Sequence, residues 1–193
     1  MNTLEAIKTR RSIRKFKNKS VPKSELAKII EAGIRAPSSM NKQPWKFVVV
    51  TNPEKIKKMV DVAKTELITF LKTPEGKKKY PGAVERFMQR AQKPDDMIFY
   101  NAPAVIFVIQ TEEAANGQFD HGLATENILL SAHELGLGTV CVGLAVFMEN
   151  SESARKMLGM KKGEKIVITI PIGYPDETPE EHERDFDVVD WIE

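Results

Sequence analysis

The chain is poor in the features that mark most specialised protein classes. Only one of its 193 residues, Cys141, is a cysteine, so no intrachain disulfide can form, in agreement with a reducing compartment. No apolar run approaches the roughly 20 residues needed to span a bilayer. Met1-Asn2-Thr3-Leu4-Glu5 lacks the apolar core of a signal peptide, and a cytoplasmic protein without membrane association is expected. Lys+Arg total 29 against 27 Asp+Glu, a formal net charge of +2, which gives no general electrostatic reason to expect nucleic acid. His121, His133 and His182 have no metal-ligand spacing, so no structural metal is expected. His133 reads as a hydrogen-bonded core or interface residue. No G-x-G-x-x-G follows a strand and no G-x-x-x-x-G-K-[ST] occurs, which disfavours a dinucleotide fold or a P-loop. Internal repeats and low-complexity linkers are also missing, so residues 1–193 are read as a single domain, long enough for a sizeable core.

What is present is an alternation of helix and strand signals without a strict βαβ rhythm. A short helix is expected from Asn2 or Thr3 to just before Arg10. Leu26, Ile29, Ile30, Gly33 and Ile34 form one apolar stripe at helical period, and Pro37 stops that helix. Trp45–Val50 reads as a strand. Asn52-Pro53 opens a helix carrying Ile56, Met59, Val60, Ala63 and Leu67. Residues 72–94 read as an excursion with one helix near Ala83–Ala91. The apolar run Ala104–Ile109 is expected to be a central strand. A helix from Gln118 to Leu135 is apolar around most of its circumference and ends at Gly136. Strands follow at Thr139–Val142 and Ile166–Ile170, with a helix near Ser151–Leu158 between them. The tail from Thr178 carries Phe186, Val188, Val189, Trp191 and Ile192, which need burial, so docking is expected. The fold class is α+β, in three layers.

Two segments carry chemistry. In Arg10-Arg11-Ser12-Ile13-Arg14 an extended backbone projects Arg10, Ser12 and Arg14 to one side. Two guanidinium forks flanking a hydroxyl suit a phosphate. A solvated basic run is the commoner fate of arginine pairs; the polar loop Pro37-Ser38-Ser39-Met40-Asn41-Lys42-Gln43-Pro44-Trp45 downstream favours the anion reading. Cys141, placed in an apolar strand, is expected to be a buried, inert small hydrophobe. Asp176, Glu177 and the acids of 180–183 are expected to form a solvated face.

In this order the motifs resemble those of the nitroreductase family. Arg10-Arg11-Ser12-Ile13-Arg14-Lys15-Phe16 resembles its RRSxRxF opening, and Ala36–Trp45 its APSSxNxQPW loop. Gly136-Leu137-Gly138-Thr139, Val142-Gly143 and Ile172-Gly173-Tyr174-Pro175 are similar to its later signature. The resemblance implies a nitroreductase-like fold, with a mainly antiparallel central sheet flanked by helices. It implies a homodimer with FMN at the subunit interface and a C-terminal tail wrapped across the partner. Arg10, Ser12 and Arg14 would hold the phosphate and ribityl end, with Arg11 nearby. Pro37, Ser38, Ser39 and Asn41 would reach the flavin of the other subunit, and the backbone at Val142-Gly143 would face the ring near N5. Such a ring has an apolar body and a polar rim, which an amide- and hydroxyl-rich loop can meet, and a glycine lets backbone approach it.

The implied activity is passage of electrons from NADH or NADPH through FMN to a small acceptor such as a nitroaromatic or quinone. The alternatives are reductive dehalogenation or flavin fragmentation on the same fold, or a protein that only binds flavin. Two departures stand out. The family's C-terminal basic cluster is reduced to Arg184 within Glu181-His182-Glu183-Arg184-Asp185. The residue facing the flavin pyrimidine has no clear counterpart, and Lys64 and Asn101 both stay open.

Overall fold

The computed structural model describes residues 2–91, 96–111, 117–185 and 187–192. Its centre is a four-stranded sheet of order β1-β2-β4-β3, with β1 at Trp45–Val50, β2 at Ala104–Gln110, β3 at Gly138–Thr139 and β4 at Lys165–Gly173. All three pairings are antiparallel. The helices are α1 (Thr3–Thr9), α2 (Lys23–Ile34), α3 (Pro53–Lys72), α4 (Pro74–Lys79), α5 (Ala83–Ala91), α6 (Gly117–Glu134) and α7 (Glu152–Met157).

β2 shows why a strand can be apolar at every position. Val105, Phe107 and Ile109 enter a core with residues of α3, α5 and α7, whereas Ala104, Ile106 and Val108 enter a second core under α2 and α6. Alternate residues point to opposite faces, so a sheet covered by helices on both sides needs apolar residues throughout. The result is the expected three-layer α+β arrangement. Helix ends follow local chemistry: the Asn52 side chain accepts the Lys55 N–H, and Gly136 takes the left-handed conformation that ends α6 (φ 73°).

Four expectations need correction. The strand expected at Thr139–Val142 ends at Thr139, and Val142 makes only an isolated bridge to Thr169. β3 has a full strand on one side only, so nothing holds Cys141 in a ladder; that residue is exposed rather than buried. β4 extends past Ile170 through Pro171 to Gly173. The excursion contains a second helix, α4, opened by the Thr73 hydroxyl, which accepts the Gly76 N–H.

The tail does not dock on its own chain: Trp191 is 85% and Ile192 98% exposed. Phe186 lies outside the described residues. Among the described residues no helix is long and apolar enough to cross a membrane.

Candidate functional site

The arginine segment is fastened to the sheet through its backbone. The Ile13 N–H donates to the Thr139 carbonyl (2.9 Å) and the Lys17 N–H to the Tyr174 carbonyl (2.9 Å). Ser12 bridges Thr139 in parallel and Phe16 bridges Pro175. Close approach requires Gly138, because a Cβ there would lie 2.6–2.9 Å from three side-chain atoms of Ile13. Arg10, Arg11 and Ser12 are half-buried and Arg14 is exposed.

Acids surround this segment. Arg10 pairs with Glu126 (3.4 Å) and Arg11 with Glu181 (3.0 Å). Arg11 also donates to the carbonyls of Lys8 (2.7 Å) and Arg10 (2.9 Å). The Glu177 carboxylate accepts the backbone N–H groups of Arg14 and Lys15. The expectation of a merely solvated acidic face is therefore wrong for Glu177 and Glu181. These long-range partners were missed because charge order along the chain carries no trace of them. Among the described residues one donor is left over: Arg10 Nε is buried without a hydrogen-bond partner.

A cavity of about 430 Å³ beside the segment is lined by Arg10, Arg11, His133 and Glu177, among others, but by neither Ser12 nor Arg14. His133 Nε2 lies 2.8 Å from the Thr9 hydroxyl. Burial, then the Arg10 charge, lower its pKa below the usual histidine value.

Val142 and Gly143 follow along the same edge. Thr139 lies opposite Ile172 and Val142 opposite Thr169, an offset of three strand residues or about 10 Å. A Cβ on Gly143 would meet nothing within 4 Å, so this backbone is open to an approaching group. Desolvation raises the Cys141 thiol pKa against the opposing pull of Arg10, and Glu126 raises it further. Cys141 is thus exposed but not primed as a thiolate.

The polar loop is built differently. Ser39–Asn41 form a short 3-10 turn, with Met40, Asn41 and Gln43 at positive φ (52°, 54° and 47°). The Ser39 N–H points at both carboxylate oxygens of Asp120, 3.2 Å each, and Asp120 is only 1% exposed. Ser38 Oγ accepts the Gln43 N–H (2.9 Å), and Asn41 Oδ1 accepts from the Gln43 amide (3.2 Å). His121 Nε2 donates to the Pro44 carbonyl (3.0 Å). Asp120 and His121 thus anchor the loop, with Pro37 and Asn41 left exposed. Sequence reasoning missed both; their signal is an adjacent carboxylate and imidazole in the first turns of α6, both fully buried in the structure.

Within one chain the two segments meet α6 at different points, the loop at Asp120 and the arginine segment at Glu126. These positions are about 9 Å apart along the helix axis. Arg184 joins neither, its one hydrogen bond among those described being to the Glu183 carbonyl. Lys64 and Asn101 line a separate cleft of about 490 Å³.

Residues 7–174 match the sequence model of the Nitroreductase family. The chain belongs to that family. Its relatives include a Methanothermobacter thermautotrophicus protein provisionally named NADH dehydrogenase/NAD(P)H nitroreductase, 32% identical over 93% of this chain and 80% of that protein. An iodotyrosine deiodinase of Thermotoga neapolitana is 29% identical over 92% and 90% of the two chains. Among solved structures, a nitroreductase with bound FMN from Desulfitobacterium hafniense superposes with a TM-score of 0.80 at 29% identity, each chain covered completely. In this nitroreductase-family chain the matched span takes in both motif segments and the Val142-Gly143 turn, and stops short of Arg184.

Proposed function

We propose that this chain is an FMN-dependent oxidoreductase that takes electrons from NADH or NADPH and delivers them to an electron-poor acceptor such as a nitroaromatic or quinone. The observation that carries the reading is the single sheet edge that presents cationic donors at one end and an open glycine at the other. Ser12 sits beside Thr139, and Gly143 lies just past Val142 on the same edge. The donor set suits FMN: Arg10 Nε makes no hydrogen bond among the described residues, although the same guanidinium meets Glu126 through Nη2, and Arg14 makes no ion pair among the described residues. Bound FMN supplies the hydride and electron chemistry, so the protein needs no side-chain nucleophile or general base.

Arg10, Ser12 and Arg14 hold the phosphate and ribityl end, with Arg11 beside them. Gly143 and Val142 offer backbone to the ring. Pro37, Ser38, Ser39 and Asn41 serve the flavin of a second copy, because in their own chain they stand away from the arginine segment. Support for that homodimer is the apolar surface left uncovered, with Phe119 on α6 and Val188, Val189, Trp191 and Ile192 in the tail. Arg184 reaches the phosphate only if the tail is rearranged in the dimer. The whole chain acts as one domain, since both cores share the same sheet, and it works in the cytoplasm.

A second reading, reductive dehalogenation, is favoured by the kinship with an iodotyrosine deiodinase. One panel separates them: purified protein is given FMN, then NADH or NADPH with a nitroaromatic, a quinone or a halogenated tyrosine. Nicotinamide oxidation that depends on the nitroaromatic or quinone is expected. Halide release alone selects the second reading, bound FMN that neither nicotinamide reduces indicates a flavin-binding protein, and no FMN uptake overturns all three. Arg14→Ala is expected to weaken FMN binding by about 1.5–3 kcal/mol, roughly ten- to a hundredfold in a titration. Unchanged affinity removes Arg14 from the site.

A further inference from the structure

The cleft that holds Lys64 and Asn101 lies at the β1 side of the sheet, lined by Thr51 just beyond β1 and by Ala102 and Pro103 just before β2. The edge proposed for the flavin belongs to β3, two strands from β2, and Lys17, Asn18 and Ser20 of the strip after the arginine segment are what connect it to the cleft. From this cleft we infer a second ligand site, one that takes a phosphomonoester carried on an apolar body. Lys17, Lys57 and Lys64 all line it, and none makes an ion pair with another described residue. Lys57 and Lys64 are seven positions apart on α3, hence on one helix face and about 10 Å apart. Lys17 comes from the strip after the arginine segment.

The one carboxylate on the lining, Asp96, offsets only part of their charge and is not ion-paired with them. It is engaged by the backbone N–H groups of Ile98 (2.8 Å), Phe99 (2.9 Å) and Asn101 (3.3 Å). The cleft also opens at the first turn of α3, a 20-residue helix whose positive dipole end adds to the ammonium field. Ile56 and Val60, both buried, supply an apolar floor. Three unpaired ammonium groups match a dianion better than a monoanion. A volume of about 490 Å³ falls within the range of small-ligand pockets.

The test is equilibrium binding of phenyl phosphate to the full chain saturated with FMN, with benzoate and phenol as probes of charge and of the apolar floor. Phenyl phosphate is expected to bind more tightly than benzoate, and phenol only weakly. Lys64→Gln is expected to weaken phenyl phosphate about three- to tenfold, and Lys17→Gln/Lys57→Gln/Lys64→Gln together about a hundredfold. Circular dichroism is expected to stay unchanged, because these side chains make no hydrogen bond or ion pair among the described residues and glutamine keeps most of the aliphatic stem. Phenyl phosphate affinity equal in the triple variant and the parent overturns the inference, as does phenol binding as tightly as the phosphate. Affinity that responds to Arg14→Ala instead of to the lysines assigns the anion to the arginine segment and likewise overturns it.

Discussion

The two edges of the sheet use the same pairing of cation and carboxylate to opposite ends. At the β1 edge Lys46 lies 3.1 Å from Glu164, which is only 6% exposed. Glu164 also accepts the Lys161 N–H (2.8 Å), and Lys46 donates to the Gly159 carbonyl (2.6 Å). Each charge is satisfied and the carboxylate is shielded from water, while the Lys46 side chain keeps 31% of its surface exposed. At the β3 edge the Arg10–Glu126 and Arg11–Glu181 pairs are half-exposed, and Arg10 Nε has no partner. A closed network holds structure, whereas one with exposed carboxylates and a buried, unused donor has hydrogen-bonding capacity left to satisfy.

Breaking the closed edge is expected to give the largest effect. Lys46→Met leaves Glu164 buried without its cation and is expected to cost about 2–3 kcal/mol of stability, read as a midpoint shift in denaturant. Its pH dependence sharpens the point. Burial pushes the Glu164 carboxyl up, but the Lys161 N–H and the Lys46 ammonium outweigh it and hold the pKa below the usual glutamate value. The folded state thus binds this proton less readily than the unfolded chain. The stability it contributes is present above the ordinary glutamate pKa and is lost as pH falls through the lowered folded value. In Lys46→Met the carboxyl loses the cation that helps hold its pKa down, so the share of the acid-side loss that Glu164 contributes is expected to shrink. A pH profile identical to that of the parent contradicts the assignment.

A smaller effect is expected from two glycines of the β3 edge, where the flavin is proposed to bind. Gly138→Ala drives a methyl into Ile13, whose branched Cβ cannot swing aside. The expected cost is about 1–3 kcal/mol of stability together with weakened FMN binding, and a second change, Ile13→Gly, which removes all three contacting atoms, is expected to restore FMN affinity. Gly143→Ala meets nothing in the protein and is expected to leave stability within about 0.5 kcal/mol while still weakening FMN. Equal stability losses at the two glycines remove the distinction between a packed glycine and an open one.

Sequence legibility follows the same divide. β2 was readable because both its faces are buried, and α3 because Asn52-Pro53 and its apolar stripe are local signals. β3 was overread: its apolar residues suggest a longer strand, but its length depends on how many residues β4 pairs with. The arginine segment and the polar loop were legible as chemistry because their residue types are unusual in combination. Their anchors were not. Glu177 reaches Arg14 across 163 positions, and Asp120 reaches Ser39 across 81; a carboxylate that will hold a distant loop looks like any other acid on a helix or in a tail.

The smallest and most discriminating change is Glu126→Gln. Its pair with Arg10 is 3.4 Å long and the glutamate is 45% exposed, so the expected stability change is within about 0.5 kcal/mol. If this edge is open, removing the acid frees Arg10 for the phosphate, and FMN affinity is expected to rise about two- to fivefold at low ionic strength. The gain is expected to fade as added salt shortens the reach of exposed charges. Cys141 provides an internal check, because Glu126 raises its thiol pKa. Glu126→Gln is expected to lower that pKa and speed alkylation of Cys141 at fixed pH, whether or not flavin affinity moves. Faster alkylation with weaker FMN binding means that Glu126 orients Arg10 instead of competing for it. The β3 edge would then be as organised as the β1 edge, and the spare Arg10 donor would no longer mark the difference between them.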